Sequence, residues 1–307
     1  MTERTVRLAI LDSYGVRWTR ETFARDLLQN FFDAATDFRT IAVDVRPEEG
    51  VVEIRGHALF DIDLLAYIGA TTKTSGRTVG GFGEGFKICA LIGTRDFGLT
   101  MTAGSGADEI AVTLEPVPLG RELCYRATRR DAPLDGSFVR LEGCDAACIA
   151  AFRAAPAMFR HPDNPKLGAP LFEDAAQGVA IYASPDSRSG ELYYRRQLRG
   201  ASSFYGTTDR AVTLAHDGII DALEGDRDRR DLPPRPIARA IGEKLAPETL
   251  HRVLLHLMPY WRYGNEVLSG LIEAGVERKL RFEWPRRWLA RASKTLGLTE
   301  LAERQGF

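Results

Sequence analysis

The distribution of apolar and polar residues predicts a series of helices and strands along the chain. Residues 20–35 place apolar side chains at helical spacing, and Thr19 precedes them where a helix N-cap is favoured. Short apolar runs bounded by glycine, proline and aspartate predict strands. In the first half of the chain these runs cover residues 5–10, 40–45, 51–55, 97–103, 109–117, 123–129 and 137–143.

The order of these elements predicts the fold class. Shorter helical patterns lie at residues 61–68 and 145–158. The four strands from residue 97 to residue 143 are separated by turn residues, so they are predicted to form an antiparallel meander. Helices that come first, followed by a run of strands, predict an α+β fold in which one layer of helices covers one sheet.

The second half of the chain shows the same two patterns in turn. Residues 161–170 are rich in proline and glycine and are predicted to form a linker or loop. Strands are predicted at residues 178–184, 191–200 and 211–218. From Pro236 onward the pattern is helical, with breaks near Pro247, Pro259, Gly264 and Pro285.

Three polar residues form a second stripe on the first predicted helix. Asp26, Asn30 and Asp33 recur at i, i+4 and i+7, so they share a face that differs from the apolar one. Spacing alone leaves two interpretations open. The stripe is either a polar face in contact with solvent or a set of carboxylate and amide groups that serves a ligand.

Residues 69–93 combine a glycine-rich loop with the start of an apolar helix. The glycines of the loop are Gly76, Gly80, Gly81, Gly83 and Gly85. Glycine allows a close approach of the backbone, and a helix N-terminus points unpaired N–H groups at whatever precedes it. This combination suits a phosphate group. The alternative that stays open is a mobile surface loop in front of a buried helix.

The composition is typical of a soluble globular protein, with 307 residues, 44% hydrophobic and 27% charged. A chain of this length has room for about two domains. The formal net charge of -1 gives no electrostatic reason to expect binding to nucleic acid or to an anionic membrane. Residues 282–294, FEWPRRWLARASK, leave two interpretations open: an amphipathic packing helix, or a contact with nucleic acid or a protein partner.

The four cysteines do not make a disulfide framework in a chain of this size. Cys144 and Cys148 have C-x3-C spacing, but no nearby histidine or second cysteine pair completes a metal site. Both are therefore predicted to be small buried residues. The N-terminus lacks an apolar run of the signal-peptide kind, and no segment is as long as a membrane span. These features predict a cytoplasmic protein.

Four segments in a fixed order carry a resemblance to a known family. They are RDLLQNFFDA (25–34), LLAYIGATTKT (64–74), GGFGEGFKICALIG (80–93) and GSFVRL (136–141). Their order and approximate spacing resemble those of the GHKL ATP-binding superfamily, which includes gyrase B, the heat-shock chaperones, the histidine kinases and MutL. The resemblance spans residues 20–142, and the combination of an N-box helix, an STK-like turn and a glycine-rich lid is more specific than any one of them.

The resemblance implies a division of the chain into three parts. Residues 1–158 would form a Bergerat-type α/β sandwich, with helices on a mixed sheet, as the ATP-binding domain. Residues 159–235 would form a smaller, transducer-like α/β domain, and residues 236–307 a helical C-terminal region. A basic residue of the charged run 225–231, Arg227 or Arg229, would then reach the γ-phosphate, and a solvated turn is the alternative for that run.

The resemblance also implies roles for individual residues. Asn30 would hold the Mg²⁺ that bridges the nucleotide phosphates. Asp26 would take the place of the family's glutamate, which orients or deprotonates the attacking water. The remaining positions would contact the nucleotide: Asp33 on the ribose and phosphate side, Thr72 and Lys73 at the base of the lid, Gly81, Gly83, Gly85 and Lys87 at the phosphates, and Ser137 near the adenine.

The adenine-binding motif departs from the family pattern. The family has D-x-G-x-G after the second strand, and here Ile54 stands at the aspartate position, whereas Gly56 fits the first glycine. Glu53 is one residue out of register and would lie on the opposite face of the strand unless a bulge intervenes. Three alternatives stay open: Glu53 substitutes, water and backbone hold the base, or the pocket takes another ligand.

Taken together, the resemblance implies Mg²⁺-dependent ATP binding and hydrolysis, with closure of the lid driving a conformational switch. Asp26 and the Asp33–Ala34 pair favour the ATPase branch over the kinase branch. A phosphotransferase acting on a small molecule or protein, and a non-hydrolysing nucleotide-binding module, are the alternatives. Many members dimerise when ATP is bound, so an ATP-dependent homodimer is the implied assembly, and no protein client is indicated.

Overall fold

The computed structural model describes most of the chain in two compact units, Met1–Met158 and Phe159–Phe307. The described residues are 3–35, 38–61, 85–185, 190–202, 211–218, 220, 223, 233–260 and 266–280. The predicted helix at 61–68 and the glycine-rich loop lie outside them, except for residue 61 and the end of the loop at Gly85. None of the helices in the described ranges has the length and apolar character needed to cross a membrane.

The first unit contains one seven-stranded sheet, in the order β1-β6-β5-β4-β7-β3-β2. Its strands are β1 (Arg4–Leu11), β2 (Ala42–Arg46), β3 (Val51–Gly56), β4 (Thr100–Ser105), β5 (Asp108–Val117), β6 (Gly120–Arg129) and β7 (Ser137–Glu142). Every predicted strand of this half is present, with bounds that differ by three residues or fewer, and the largest differences are at the starts of β4 and β6. The α+β class is thereby confirmed.

Two expectations about this sheet are wrong. Only β4, β5 and β6 form a meander, because β7 crosses over and pairs with both β4 and β3. The pairings between the described strands are all antiparallel, so this sheet is not the mixed one that the resemblance implies. Alternation of side chains predicts that a strand exists, but it does not specify which neighbour the strand pairs with.

Among the described residues of this unit, three helices cover one face of the sheet: α1 (Arg20–Ala34), α2 (Gly85–Arg95) and α3 (Ala146–Ala154). Phe23 of α1 makes edge-to-face contacts with Phe97 and Phe152, at ring-centroid distances of 5.4 and 5.7 Å. On β3 the apolar residues Val52 and Ile54 are fully buried. This aromatic and aliphatic core holds the three helices on the sheet, since buried aromatic rings contribute large apolar areas.

The N-terminus of α1 lies where the sequence predicts it. Thr19 is the N-cap, and its Oγ1 accepts a hydrogen bond from the backbone N–H of Thr22 at 3.3 Å. The helix ends at Ala34, one residue before the predicted end. Because the cap and the apolar stripe agree, the face on which Asp26 and Asn30 lie follows from the sequence.

The second unit contains a five-stranded sheet in the order β11-β10-β12-β9-β8, in which β10 and β12 pair in parallel and the other neighbours are antiparallel. Its strands are β8 (Pro170–Asp174), β9 (Val179–Ser184), β10 (Gly190–Tyr194), β11 (Gln197–Ser202) and β12 (Ala211–His216). Strand β8 was not predicted, because Gly168 and Pro170 are typical of a loop.

The single strand predicted at residues 191–200 is wrong. The structure has a hairpin there, in which β10 and β11 are joined by Arg195 and Arg196 with φ angles of 50° and 62°. A two-residue turn with positive φ at both positions matches the twist of antiparallel strands. Arginine is unusual in this conformation, so the sequence carries no turn signal.

Helices α4 (Pro234–Lys244), α5 (Pro247–Leu257) and α6 (Glu266–Glu277) also belong to the second unit. Their apolar residues, among them Ile241, Leu254 and Leu271, share one hydrophobic cluster with Ile181 and Leu214 of the sheet. The helices and this sheet thus bury a common core. The boundary predicted between residues 235 and 236 stays a prediction.

Replacement of Gly136 by alanine is expected to destabilise the first unit strongly. Gly136 has φ of 110°, and a Cβ there would lie 2.2 Å from the carbonyl oxygen of Gly56. Gly98 is the matched control, since its φ is 65° and a Cβ would meet nothing within 4 Å. Thermal or denaturant unfolding should show a loss of about 1–2 kcal/mol for Gly98→Ala. The loss for Gly136→Ala should exceed roughly 3 kcal/mol. Equal losses would contradict the close approach of the two backbones.

Candidate functional site

The polar stripe of α1 lies at the boundary between core and surface. The side chain of Asp26 is 0% exposed, whereas Asn30 and Asp33 are half-buried. A stripe of solvated polar residues would not bury its first carboxylate, because an ionised carboxylate is costly to remove from water. The interpretation as a simple solvated face therefore does not hold for Asp26.

Hydrogen bonds within α1 orient the side chain of Asn30. Its Nδ2 donates to the backbone carbonyl of Asp26 at 3.0 Å, and more weakly to that of Leu27 at 3.5 Å. The amide oxygen lies on the other side of the amide group and so points away from these carbonyls. An amide oxygen held in this way is a suitable ligand for a hard cation such as Mg²⁺.

Two further contacts position the carboxylates of the stripe. Nε of Arg25 lies 3.4 Å from Oδ1 of Asp26, which places a positive charge beside the buried carboxylate. Nε2 of Gln29 donates to Oδ2 of Asp33 at 3.4 Å, one turn further along the same helix. At 3.4 Å, both contacts are long for hydrogen bonds.

Helix α2 (Gly85–Arg95) carries Lys87. Lys87 is 2% exposed, although lysine is rarely buried unless its charge is paired. Its ammonium group is partnered within the protein, as its burial requires. Four predicted site residues, Thr72, Lys73, Gly81 and Gly83, lie outside the described residues, as do Arg227 and Arg229.

Ser137 anchors the segment that follows β3. Its Oγ donates to the backbone carbonyl of Ala58 at 2.7 Å. Ser105 lies opposite Ser137 in the β4–β7 register, and its Oγ accepts from the N–H of Phe60 at 2.9 Å. The two hydroxyl groups thus fix residues 58–60, which lead towards the glycine-rich loop. Sequence reasoning missed Ser105, because only the pairing of β4 with β7 brings it beside Ser137.

Glu53 faces away from the helices. It pairs in register with Arg140 and forms ion pairs with Arg55, with Arg140 at 3.4 Å and with Arg46 at 3.5 Å. A hydrogen bond to Glu142, with a contribution from Glu53, raises the pKa of Arg140 above its ordinary value.

The register of β3 excludes one of the three alternatives for base recognition. Ile54, on the helix side of β3, is 0% exposed and apolar. A β-strand side chain one residue away from Ile54 points to the other face, and the β3–β7 pairing contains no bulge. Glu53 therefore does not substitute for the missing aspartate.

A magnesium site in this region would use few protein ligands. Among the described residues, no group of three or more His, Cys, Asp or Glu side chains is arranged to hold a metal ion. Mg²⁺ commonly keeps several waters and binds through one or two protein oxygens together with substrate phosphates. The oriented amide oxygen of Asn30 fits that mode of binding.

Comparisons with known proteins give a similarity of fold. No protein-family model and no curated protein sequence matches the chain. The structure is similar to the ATPase region of Saccharomyces cerevisiae topoisomerase II, with a TM-score of 0.38 and 10% identity over 93% of this chain and 85% of that chain. A second structure of that region, bound to ICRF-187 (dexrazoxane), gives a TM-score of 0.37 and 11% identity over 92% of this chain and 85% of that one.

The ATPase and transducer domains of DNA topoisomerase II from Balamuthia mandrillaris give a TM-score of 0.37 and 9% identity, over 92% of this chain and 85% of that chain. All three neighbours are ATPase regions of topoisomerase II. With TM-scores below 0.5, they carry no argument about this chain. The site is defined by the chain's own residues.

Hydrogen exchange at the Phe60 amide distinguishes the hydrogen bond made by Ser105 from the one made by Ser137. Ser105→Ala removes the acceptor of the Phe60 N–H, so exchange of that amide should accelerate by roughly tenfold, the equivalent of one hydrogen bond. Ser137→Ala is the matched control, because it removes the bond to Ala58 and leaves the Phe60 bond in place. Equal acceleration in both variants would show that the segment opens as one unit, contrary to separate anchors.

Proposed function

We propose that the first unit binds ATP with Mg²⁺ and hydrolyses it, and that closure of residues 69–93 over the nucleotide drives a conformational switch. The observation that carries this proposal is the pairing on α1 of a buried carboxylate, Asp26, with the oriented amide of Asn30 one helical turn later. By resemblance, Lys87, which is buried on α2, would lie close to the phosphates.

The nucleotide phosphates would lie between α1 and the first turn of α2. Asn30 would provide one oxygen ligand to Mg²⁺, and the ion would supply charge neutralisation for the phosphates. By resemblance, Gly85 would offer a backbone N–H to the phosphates, and Asp33 would face the ribose and phosphate side. By resemblance, Thr72, Lys73, Gly81 and Gly83 would complete the phosphate contacts from the glycine-rich segment.

Asp26 would act on the attacking water. A carboxylate can orient a water molecule and accept its proton while the γ-phosphoryl group is transferred. Burial keeps Asp26 at the base of the site, and the carboxylate lies one turn from the proposed metal ligand, so the two groups do not compete for the ion. Aspartate is one methylene shorter than the family's glutamate, so the attacking water would lie closer to α1.

The base would be held without a carboxylate from β3. Ile54 is apolar and fully buried, and Glu53 forms ion pairs with arginines on the other face of the sheet. The backbone of residues 58–60, fixed by Ser105 and Ser137, would provide polar groups directly or through water. We propose that Ser137 contributes near the base in this indirect way.

Substitutions of Asn30 and of Asp26 should affect different steps, nucleotide binding and hydrolysis respectively. Asn30→Ala is expected to lower the affinity for Mg²⁺–nucleotide by at least tenfold, because the metal loses its protein ligand. Asp26→Asn is expected to retain binding and to lower the hydrolysis rate by at least about a hundredfold, as for loss of a general base. Calorimetry with a non-hydrolysable nucleotide measures the first effect, and single-turnover phosphate release measures the second.

Asp44→Asn is the control for these variants, because it makes the same chemical change as Asp26→Asn on an exposed position of β2. Binding and turnover should remain at wild-type levels in this variant. Normal hydrolysis by Asp26→Asn would refute the assignment of the water-activating group. Unchanged binding by Asn30→Ala would refute the metal site.

The same assay with labelled ATP distinguishes hydrolysis from its two alternatives. Release of free phosphate is the expected result for an ATPase. Transfer of label to a small molecule or protein added from the native extract would show a phosphotransferase. Retention of intact ATP on the protein would show a non-hydrolysing nucleotide-binding module.

A further inference from the structure

A histidine is buried in the core of the second unit. His216 is the last residue of β12, and it is 1% exposed. It alternates with Val212 and Leu214 of the hydrophobic cluster, so its ring lies on the face of the sheet that packs against the helices. Its Nδ1 is buried and has no hydrogen-bond partner in the part of the chain that the structure describes. This environment suits the neutral ring, since an imidazolium needs an acceptor for each of its two N–H groups.

The ring of His216 also contacts the segment that follows β12. It stacks on Tyr194 of β10, with ring centroids 6.3 Å apart and ring planes at 12°. The hydroxyl oxygen of Tyr194 accepts a hydrogen bond from the backbone N–H of Ile220 at 2.8 Å. Gly218 packs against the imidazole, because a Cβ there would lie 2.8 Å from Cε1 of His216. Gly218 and Ile220 are thus both held on this pair of stacked rings.

The surroundings of His216 disfavour a positive charge on the ring. The titratable and charged groups around it are Tyr194 of β10, Asp217, Lys244 in the last turn of α4, and Arg160. Burial lowers the pKa of His216 below its ordinary value, and Lys244 and Arg160 act in the same direction, whereas Asp217 opposes them. Asp217 already accepts a hydrogen bond from Arg160 on its Oδ2. On β9 the register partner of His216 is the apolar Val179.

We propose that His216 is the proton-binding group of a pH-sensitive latch, in which protonation of the ring releases Gly218 and Ile220 from the end of β12. An imidazolium in the closed state would be buried near two cationic groups, without an acceptor at Nδ1. Opening of the latch exposes the ring to water, which hydrates the charge. The latch lies in the second unit and does not depend on nucleotide binding by the first.

The hydrogen bonds around His216 favour a local opening over unfolding of the whole unit. Strand β12 pairs with β9 along its whole length and with β10 over its last three residues, so the strand itself stays closed. The segment after β12 is held by fewer contacts, namely the bond from Ile220 to Tyr194 and the contacts of Asp217 with Arg160 and Gly178. Segments with few contacts open at a lower free energy than paired core strands.

Acidification favours the opened state, because only that state exposes the ring to water. In the opened state His216 binds a proton near its ordinary pKa of about 6.5. Its pKa is lower in the closed state, so the opened state binds more protons below about pH 6.5 and gains population as the pH falls. Between pH 7.5 and pH 5.5, the ratio of opened to closed molecules should rise by about three- to tenfold, where tenfold is the limit for a pKa of 6.5.

Hydrogen exchange at the Ile220 amide of the full chain tests the latch. Rates are measured at pH 7.5 and pH 5.5 and divided by the intrinsic rate at each pH, which gives a protection factor. In the wild type, this factor should fall by about three- to tenfold at the lower pH. In His216→Gln, which cannot take up a proton, it should not change with pH. His57→Gln is the matched control, since it replaces an exposed histidine of the first unit and should behave as the wild type.

The pH dependence separates a latch from a purely structural role of His216. If His216→Gln lowers the protection of Ile220 equally at both pH values, the proposal is supported, because the proton-binding group has been removed. The proposal is overturned if protection of Ile220 falls with pH to the same extent in wild type and His216→Gln, or does not fall in the wild type. It is also overturned if Ile220 and Leu214 have equal protection, since the segment then opens only when the unit unfolds.

Discussion

The contact between α1 and β3 is the constraint on which the candidate site depends. Phe31 of α1 lies over Gly56, and a Cβ at position 56 would stand only 3.1 Å from the ring. The small residue lets the helix approach the sheet closely, and Ile54 and Val52 continue the same buried surface. Because Phe31 is fixed, the neighbouring face of α1 is fixed too, with Asp26 buried and Asn30 at the boundary.

The two faces of β3 lie in different environments: one is apolar and packs against the helices, and the other is charged. Glu53 lies between Ile54 and Val52 in sequence but among Arg46, Arg55 and Arg140 in space. A buried carboxylate needs such partners, because removal from water is costly and an unpaired charge would not be retained. The arginine cluster therefore fixes the direction in which Glu53 points, and it leaves the helix side of β3 apolar.

Much of the first unit could be predicted from the sequence, because local signals there are strong. The cap at Thr19 and the apolar stripe predicted α1 to within one residue, and strict alternation placed Glu53 on the outer face. The crossing of β7 between β3 and β4 could not be predicted, since it depends on contacts between residues distant in the chain. Ser105 was missed for the same reason.

In the second unit, the prediction failed because the sequence lacks the local residues that normally mark a turn. Arg195 and Arg196 form a tight turn with positive φ that normally requires glycine or asparagine. At the site itself, residue spacing placed Asp26, Asn30 and Asp33 on one face, and the structure adds their burial and the hydrogen bond that orients Asn30. The roles of these residues toward a nucleotide come from the resemblance and the chemistry of their side chains.

The most direct test of the account uses a paramagnetic ion in place of Mg²⁺. Mn²⁺ broadens nuclear magnetic resonance signals with a steep dependence on distance, so the side-chain NH₂ of Asn30 should be broadened most strongly if its amide oxygen binds the ion. Loss of this signal is predicted when Mn²⁺ and a non-hydrolysable ATP analogue are both present, and its retention is predicted when Mg²⁺ replaces Mn²⁺ in the same sample. Equal broadening by Mn²⁺ alone, or none with the nucleotide, would contradict the assignment of Asn30 as the metal ligand.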